Sequence, residues 1–460
     1  MNSTSEQLRF PSIPGHSVRA DFAGGGLSSD LGPVFLRGVD LQIGLTKRLA
    51  AALPDRRHQS YVDHSYHDIL TQRIYQIGCG YEDGNDSNSL RHDPMFKLGA
   101  ARLPFDDDAA LASGATISRF EHAASRQDIY RVSEALVEQF IASFASPPKS
   151  LILDLDHSED ACYGQQPLAF YNHHYRSTCY LPLMIFDGAS GGLIAAVLRP
   201  GKRPFGDENA MIMRRVLKLI RLRFPNTHIL VRGDGHFSGP ELMGLIDSMP
   251  NIDFIFGFSC NVKLLAMAEP ARLRAIDQWV AAQSQNVVPN ALRLFDEFMY
   301  KAGSWPRAWR ILMKAEVMAL GENTRFIVTS LTGLDAGTLY EDIYCARGQA
   351  ENYIKHLKDD LAADRTSCTS FLANCMRLLL HAAAYILHQQ LRTQALQHTA
   401  LSQAQPSTVI SKLFKIAVQV RQYKNKIVLH LPSACPVKHL LQTLTERLYL
   451  STPAKSLNSS

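Results

Sequence analysis

The sequence predicts a mixed α/β protein with helical regions on either side of the α/β part. Three observations carry this prediction. From residue 150 onward, short aliphatic runs alternate with amphipathic helical patterns, which is typical of a sheet covered by helices. Residues 1–149 show mainly helical patterns, and long helical patterns return after residue 338. The 460 residues also provide enough chain for about two to four structural units.

Composition narrows the class of protein. With 46% hydrophobic and 20% charged residues, the chain is neither globally disordered nor a disulfide mini-protein. The eight cysteines form no C-x-x-C pair and the N-terminus lacks an apolar signal core, so we expect a cytoplasmic protein. The formal charge of +5 permits a polyanionic partner without requiring one. The most apolar stretch, residues 371–391, contains Asn374, Arg377 and His381, which predicts a core helix and no membrane span.

The first 149 residues are predicted to form an N-terminal helical domain. Residues 1 to about 40 are rich in Gly, Ser and Pro and are expected to form a loop or arm. Helical patterns follow at about 40–53, 64–80 and 128–145, and Pro147-Pro148 ends the last one. About 150 residues is a common size for one domain.

The remaining chain divides into four predicted parts. Residues 150–262 are the first part of the α/β core, with strand-like runs at 151–156, 168–174, 179–186, 193–198, 228–232 and 252–258. Residues 263–337 are irregular and then strand-rich, with strands at 308–317 and 324–331. Residues 338–395 carry two long helices. Residues 396–460 are predicted to hold an apolar helix at 408–421, a strand at 427–431 and a helix at 437–450, in a largely helical C-terminal region.

Carboxylates stand where strands of this core end. Asp154 and Asp156 share one face of the first strand, because side chains two residues apart point the same way. Asp234 follows another strand, between two glycines that permit a tight turn. Glu351 lies in a helical pattern with Tyr344, Arg347 and Lys358; at about 100° per residue, these four side chains project within roughly 60° of one another.

This set of side chains suits a metal ion beside a phosphodiester. Carboxylates would hold the metal, while Arg and Lys would hold phosphate oxygens. Three carboxylates without Cys or His ligand spacing favour Mg²⁺ or Mn²⁺ over zinc, and two ions would offset their charge together with that of one phosphodiester. Taken singly, each residue also fits a helix cap or a solvated ion pair. We interpret Asp154, Glu159 and Asp160 as structural residues or as supports for the catalytic groups, and His157 and His236 as local hydrogen-bonding groups.

The chain resembles the DDE transposases of bacterial insertion sequences (DDE group 1), in the group with a Y-x-x-R-x-x-x-E-x-x-x-x-x-x-K signature. Tyr344, Arg347, Glu351 and Lys358 match this spacing at all four positions. The resemblance extends from about residue 20 to 450 and includes residues 72–83, 198–201, 350–358 and 363–367. It implies a ribonuclease-H-like core, with a β-rich insertion at 263–337 between the second aspartate and the glutamate.

The resemblance also implies the roles of individual residues. Asp156, Asp234 and Glu351 would be the catalytic carboxylates and the ligands of two Mg²⁺ or Mn²⁺ ions, with Asp154 the alternative to Asp156. His236 departs from the small residue that the family usually has after the D-G pair. Contacts with DNA are expected from Tyr344, Arg347 and Lys358, and from Trp305 or Trp309 through stacking on an unpaired base. Weaker candidates are Arg56, Arg57, Arg73, Arg119, Lys412, Lys415, Arg421, Lys424 and Lys426.

The predicted function is therefore binding of terminal inverted repeats, followed by metal-dependent strand cleavage and transfer into target DNA. The expected partners are double-stranded DNA and a second copy of the chain in the active complex, in the bacterial cytoplasm at the nucleoid. Two alternatives remain open at this stage: a catalytically silent end-binding repressor, and a metal-dependent nuclease of the same fold.

Overall fold

A computed structural model describes residues 7–106, 110–204, 206–284 and 290–450. The strands are β1 (Leu8–Ile13), β2 (His16–Ala20), β3 (Leu27–Ser28), β4 (Ser150–His157), β5 (Asp160–Ala161), β6 (Phe170–Asn172), β7 (Ser177–Tyr180), β8 (Leu183–Asp187), β9 (Leu193–Val197), β10 (His228–Gly233), β11 (Ile252–Phe258), β12 (Leu292–Tyr300), β13 (Trp309–Met318), β14 (Gly321–Thr329), β15 (Val418–Gln422) and β16 (Ile427–His430).

The helices are α1 (Gly32–Ile43), α2 (Leu45–Ala52), α3 (Tyr66–Gly78), α4 (Asp86–Leu90), α5 (Pro94–Gly99), α6 (Gly114–His122), α7 (Arg126–Ala142), α8 (Gly206–Arg223), α9 (Pro240–Asp247), α10 (Val262–Ser284), α11 (Ala336–Thr338), α12 (Gln349–Lys355), α13 (Phe371–Gln390), α14 (Pro406–Val409) and α15 (Lys438–Thr445). Two compact units result. One contains residues 1–120 and 383–460, and the other contains residues 121–382.

The first unit is mainly helical. Helix α3 begins with a reciprocal cap between Ser65 and Asp68, and all of its residues from Ile69 to Gly78 are buried. The N-terminal segment differs from the expected loop, because within the described residues it forms the β1–β2 hairpin and α1. Pro33 lies in the first turn of α1, where a missing N–H costs no hydrogen bond.

The C-terminal region is less helical than predicted. The helix expected at 408–421 ends at Phe414, and β15 follows as a strand between β16 and β3. The run Val418–Gln422 alternates buried and less buried positions, which is the period of a strand at a sheet surface. By length and composition, residues 371–395 could cross a membrane, but 83% of that apolar window is buried inside the protein.

The second unit is built on one eight-stranded sheet, in the order β12-β13-β14-β11-β10-β4-β8-β9. The central strand β4 runs parallel to β10 and antiparallel to β8, and β10 runs parallel to β11. The predicted strand 179–186 is two strands, β7 and β8, separated at Pro182, which has no N–H to donate to a ladder.

The interval 263–337 contains a long helix as well as strands. Helix α10 occupies its first third, and β12, β13 and β14 form an antiparallel meander. Strand β14 pairs with β11, so these strands extend the main sheet. Helix α7, placed by the sequence in the N-terminal domain, lies in this second unit, because Val137, Phe140 and Ile141 pack into the core of the sheet.

Helices cover both faces of the sheet. Residues from α7, α8, α9 and α10 share a core with alternate residues of the strands, among them Ile229 and Val231. On the opposite face, Leu230 and Ile255 pack against Leu339 and Tyr340. The second face thus carries the helical segment that leads to Glu351.

Candidate active site

The two aspartates of β4 have different surroundings. Asp154 is fully buried, and its two carboxylate oxygens accept hydrogen bonds from Nε and Nη2 of Arg232 at 2.6 and 2.8 Å. The side chain of Asp156 is 15% exposed and lies next to Arg347. Asp156 is therefore the carboxylate of this strand that remains open to a ligand.

Asp234 lies beside Asp156 because β10 is the parallel neighbour of β4. The register pairs Arg232 with Asp154 and Gly233 with Leu155, and Asp234 is the next residue along the strand. Its carboxylate caps the 3₁₀ turn Gly235–Phe237 by accepting from the backbone N–H of His236 at 2.9 Å, and Nδ1 of His236 lies 3.0 Å from the other oxygen.

The charges of the site act on one another. Burial raises the pKa of Asp156 to about 6, with Arg347 opposing this shift and with Asp234 and Glu351 adding to it. Burial alone would raise the pKa of Asp234, but hydrogen bonds from His236 outweigh it, and the pKa is lowered. Asp234 is thereby held ionised, while its neighbour Asp156 has a pKa of about 6.

Glu351 is exposed and stands in the first turn of α12. The helical run around it is not a regular α-helix. Residues 339–344 form a π segment, residues 345–348 a 3₁₀ segment, α12 follows, and residues 356–360 are π again. Gly348, a poor helix former, ends the 3₁₀ segment. The chain is helical throughout residues 339–360, but its rotation per residue is not a uniform 100°. The common face predicted for Tyr344, Arg347, Glu351 and Lys358 therefore holds only approximately.

Arg347 lies next to Asp156 and is influenced by the charges of Asp234 and Glu351. Its Nη1 lies 3.5 Å from Oδ2 of Asp156, and this buried nitrogen has no hydrogen-bond partner among the described residues. Burial by itself would lower the pKa of Arg347, but negative charges that include Asp156, Asp234 and Glu351 raise it. The charges of all three predicted carboxylates thus act on one cation.

The comparison with protein families decides the class of this chain. A family model described as "Transposase DDE domain group 1" matches residues 10–453. The chain belongs to the DDE transposase family. It is accordingly a DNA-cleaving and DNA-transferring enzyme, as the sequence predicted. No curated protein matches it significantly.

Among solved structures, the transposase is similar to a piggyBac transposase in a synaptic complex with hairpin DNA. The identity is 11%, the TM-score is 0.42, and the match covers 93% of this chain and 87% of that one.

Tyr344 of the transposase packs where β10 and β11 end. An added Cβ at Gly257 would lie 2.7 Å from the Tyr344 hydroxyl and 2.9 Å from the backbone nitrogen of Gly235. Only glycine therefore leaves room for Tyr344 beside the Asp234 turn. The Arg347 guanidinium carbon lies 5.8 Å from the centre of the Tyr344 ring.

Lys358 is directed toward the loop after β4. Its ammonium donates to the carbonyl of Glu159 and lies 3.9 Å from Oδ1 of Asp160. Burial raises the pKa of Asp160 to about 8, and Lys358 opposes this shift. In this conformation Lys358 stabilises the loop that follows Asp156, and its ammonium is engaged by protein groups.

The two tryptophans proposed for base stacking are core residues in this structure. Trp305 is 4% exposed, with ring centres 5.0 Å from Phe258 and 5.7 Å from Tyr300. Trp309 is 3% exposed and meets Phe254 edge to face. Neither ring offers a free face to a base, because both fill the junction between β11 and the β12–β14 meander.

Three of the weaker DNA-contact candidates are also used internally. Arg57 donates to both carboxylate oxygens of Asp55, at 2.8 and 2.6 Å. Arg73 is buried and donates to the backbone carbonyls of Tyr81, Glu82 and Asp83. Lys415 pairs with Asp30 at 2.7 Å. Arg56 and Arg119 are exposed at the surface of the first unit.

The sequence interpretation missed two residues of the site. Arg232 is the partner of Asp154, and its signal was a lone cation in an otherwise apolar strand, which needs a buried partner. Tyr175 belongs to the loop between β6 and β7, and its hydroxyl feels the charges of Asp156 and Asp234: burial and these two carboxylates raise its pKa to about 12. No local pattern marks Tyr175, because only the folded loop carries it to the site.

Proposed function

We propose that the transposase binds the terminal inverted repeats of a bacterial insertion sequence and catalyses strand cleavage and strand transfer at Asp156, Asp234 and Glu351. One observation carries this proposal: Arg347 lies 3.5 Å from Asp156, and the negative charges of Asp156, Asp234 and Glu351 all act on its guanidinium. A ribonuclease-H-like core is supported by β4, which has two aspartates and lies between a parallel and an antiparallel neighbour.

The family implies dependence on a divalent metal, and the chemistry of these residues fits one. Three carboxylates form an oxygen donor set suited to Mg²⁺ or Mn²⁺, and we propose two such ions. Among the described residues no three His, Cys, Asp or Glu side chains are close enough to hold an ion together. Arg347 compensates their charge in this conformation. When bound, the ions would supply Lewis-acid activation of the attacking oxygen and stabilisation of the leaving oxygen.

Each protein group then has a defined task. Asp156, Asp234 and Glu351 would hold the ions. Arg347 would contact the phosphate at the cut, because its buried Nη1 has a hydrogen to donate. Tyr344 would line the same side of the strand, and Lys358 would contact phosphate after leaving Glu159. No covalent protein intermediate is needed, because water or a DNA 3′-hydroxyl attacks phosphorus directly.

The remaining features of the proposal concern partners and location. Joining two element ends favours a homodimer in the active complex, acting on double-stranded repeat and target DNA in the bacterial cytoplasm. DNA-end recognition is proposed for the N-terminal helical domain, predicted as residues 1–149 but without α7, which packs on the sheet of the second unit. Residues 396–460 are proposed as a region for dimerisation or DNA contact. The core is proposed as residues 150–262 and 338–395, and the insertion as residues 263–337.

The test is a cleavage assay with the Glu351→Gln variant. The substrate is a supercoiled plasmid that carries the DNA flanking the reading frame, incubated with the full-length protein and Mg²⁺. We expect wild type to give nicked and joined products, and Glu351→Gln to bind the plasmid without cutting it. The control is Glu341→Gln, an exposed glutamate of the same helical run that pairs with Arg293 at 3.6 Å; it should cut normally.

Other outcomes contradict parts of the proposal. Undiminished cutting by Glu351→Gln would remove Glu351 from the site. Cutting without joined products would identify a nuclease, and binding without cutting by wild type would identify a silent end-binding repressor.

A further inference from the structure

A cavity opens next to Asp234 in the unit that contains residues 121–382. It has a volume of about 420 Å³, and its lining includes His157, Tyr171, Tyr175, Lys202, Arg203 and His236. We refer to it as the hairpin pocket, because the β6–β7 hairpin forms one wall and residues 201–204 form the other. Neither the family match nor the proposed chemistry assigns a role to these walls.

Hydrogen bonds and close backbone packing hold the two walls of the hairpin pocket together. The Asn172 side chain accepts from the backbone N–H groups of His174 and Tyr175, which fixes the hairpin loop. Its amide also donates to the Gly201 carbonyl at 3.2 Å, which ties the hairpin to the opposite wall. An added Cβ at Gly201 would come within 2.0 Å of the Cys179 carbonyl oxygen, so the close approach requires glycine.

The lining combines aromatic faces with cations. Tyr171 is 57% exposed, and His173 beside it is also exposed. Lys202 and Arg203 are both exposed, and neither has an ion-pair partner among the described residues. The Lys202 ammonium lies 4.2 Å from the centre of the Phe170 ring. No Asp or Glu is among the described residues that line the pocket. A flat ring attached to an anion matches this chemistry.

The hairpin pocket adjoins the carboxylates of the proposed active site. His236 lines the pocket and holds Asp234 through its Nδ1 at 3.0 Å. Tyr175 also lines the pocket, and its hydroxyl lies in the field of Asp156 and Asp234. A strand whose phosphate is cut at the carboxylates would therefore have its neighbouring nucleotide at this opening.

We propose that the hairpin pocket holds one unpaired nucleotide of the DNA strand next to the scissile phosphate, with its base against Tyr171 and its phosphate on Lys202 and Arg203. This inference rests on the proposed function, because it takes DNA as the substrate at the carboxylates. The pocket contributes affinity for unpaired DNA, since stacking and phosphate contacts do not require a particular base.

The test compares two fluorescein-labelled probes by anisotropy, with full-length protein and without divalent ions so that no cutting occurs. One probe is a blunt duplex, and the other is the same duplex with a fork of unpaired thymidines at one end. We expect wild type to bind the fork about tenfold more tightly, a gain typical of one stacked base. The Tyr171→Ala and K202A/R203A variants should lose this preference, while Tyr171→Phe should keep it.

The matched control is R214A/K218A, which removes two exposed cations from α8 in the same unit. It should weaken both probes alike and retain the preference for the fork. The proposal fails if wild type shows no preference, or if R214A/K218A loses the preference as K202A/R203A does. If wild type cuts the plasmid but does not prefer the forked probe, the proposal for the hairpin pocket is wrong and the proposed catalytic function stands. If wild type prefers the forked probe but never cuts the plasmid, the proposed catalytic function is wrong and the hairpin pocket stands.

Discussion

Asp154 and Arg232 form a buried, two-pronged ion pair between the adjacent parallel strands β4 and β10, with their side chains 0% and 3% exposed. The third guanidinium nitrogen, Nη1, donates to the Ile343 carbonyl at 2.7 Å, immediately before Tyr344. Space around the pair is tight, since an added Cβ at Gly188 would lie 2.5 Å from Nη2 of Arg232. One arginine thus joins both aspartate-bearing strands to the helical run that carries Arg347 and Glu351.

Removing one partner of this pair should be costly. We expect Arg232→Ala to destabilise the protein by about 3–5 kcal/mol, because it leaves the Asp154 carboxylate buried and unpaired. Arg307→Ala should cost less than about 1 kcal/mol, since Arg307 and Asp247 form an exposed pair. Thermal unfolding of both variants measures the difference. Replacing the pair together, as Asp154→Leu with Arg232→Met, should recover most of the stability, and equal losses in the three variants would refute the argument.

The raised pKa of Asp156 predicts a pH-dependent difference between wild type and Asp156→Asn. Because the folded-state pKa is about 6 and the ordinary value is 3.8, the folded protein binds more protons than the unfolded chain between these values. The stabilising contribution of protonated Asp156 to the free energy of unfolding is therefore fully present below pH 4 and is lost as the pH rises through 6. Asp156→Asn should gain about 2–4 °C in Tm relative to wild type between pH 4 and pH 7. A Tm difference independent of pH would contradict the assignment.

Gly257 should tolerate no side chain. In Gly257→Ala the new Cβ meets the Tyr344 hydroxyl and the backbone of Gly235, and only the tyrosine can move easily. We expect a loss of about 1–3 kcal/mol and weaker cleavage. Adding Tyr344→Phe should not restore either, because the backbone contact persists. Gly244→Ala is the matched control: its Cβ would meet nothing within 4 Å, so stability should be unchanged or slightly higher.

Trp305 should behave as a core residue. Trp305→Ala is expected to cost about 3–5 kcal/mol in stability, because it opens a cavity against Phe258 and Tyr300. Trp305→Phe keeps most of the packing and should retain both the Tm and cleavage of the plasmid. Full stability with a selective loss of fork binding in Trp305→Ala would instead indicate a base-stacking role that requires a different conformation.

The sequence alone determined the local features of this protein. It located β4, β10 and β11, because buried parallel strands are continuous aliphatic runs, and it located α3, α13 and most of α7 from their helical patterns. It also assigned the transposase family, because the Y-x-x-R-x-x-x-E-x-x-x-x-x-x-K spacing is carried by residues close together in the chain. The roles of Asp156, Asp234 and Glu351 as catalytic carboxylates stay predictions.

Only the tertiary structure decided between residues of equal local character. Asp154 and Asp156 occupy equivalent positions along one strand, and they differ because Arg232 of a neighbouring strand engages Asp154. Trp305 and Tyr171 are both aromatic residues near turns, but packing buries the first and leaves the second exposed. The meander β12–β14 extends the main sheet because β14 pairs with β11. The sequence did not predict this pairing, because the choice of a partner strand depends on contacts between distant segments that a local pattern does not contain.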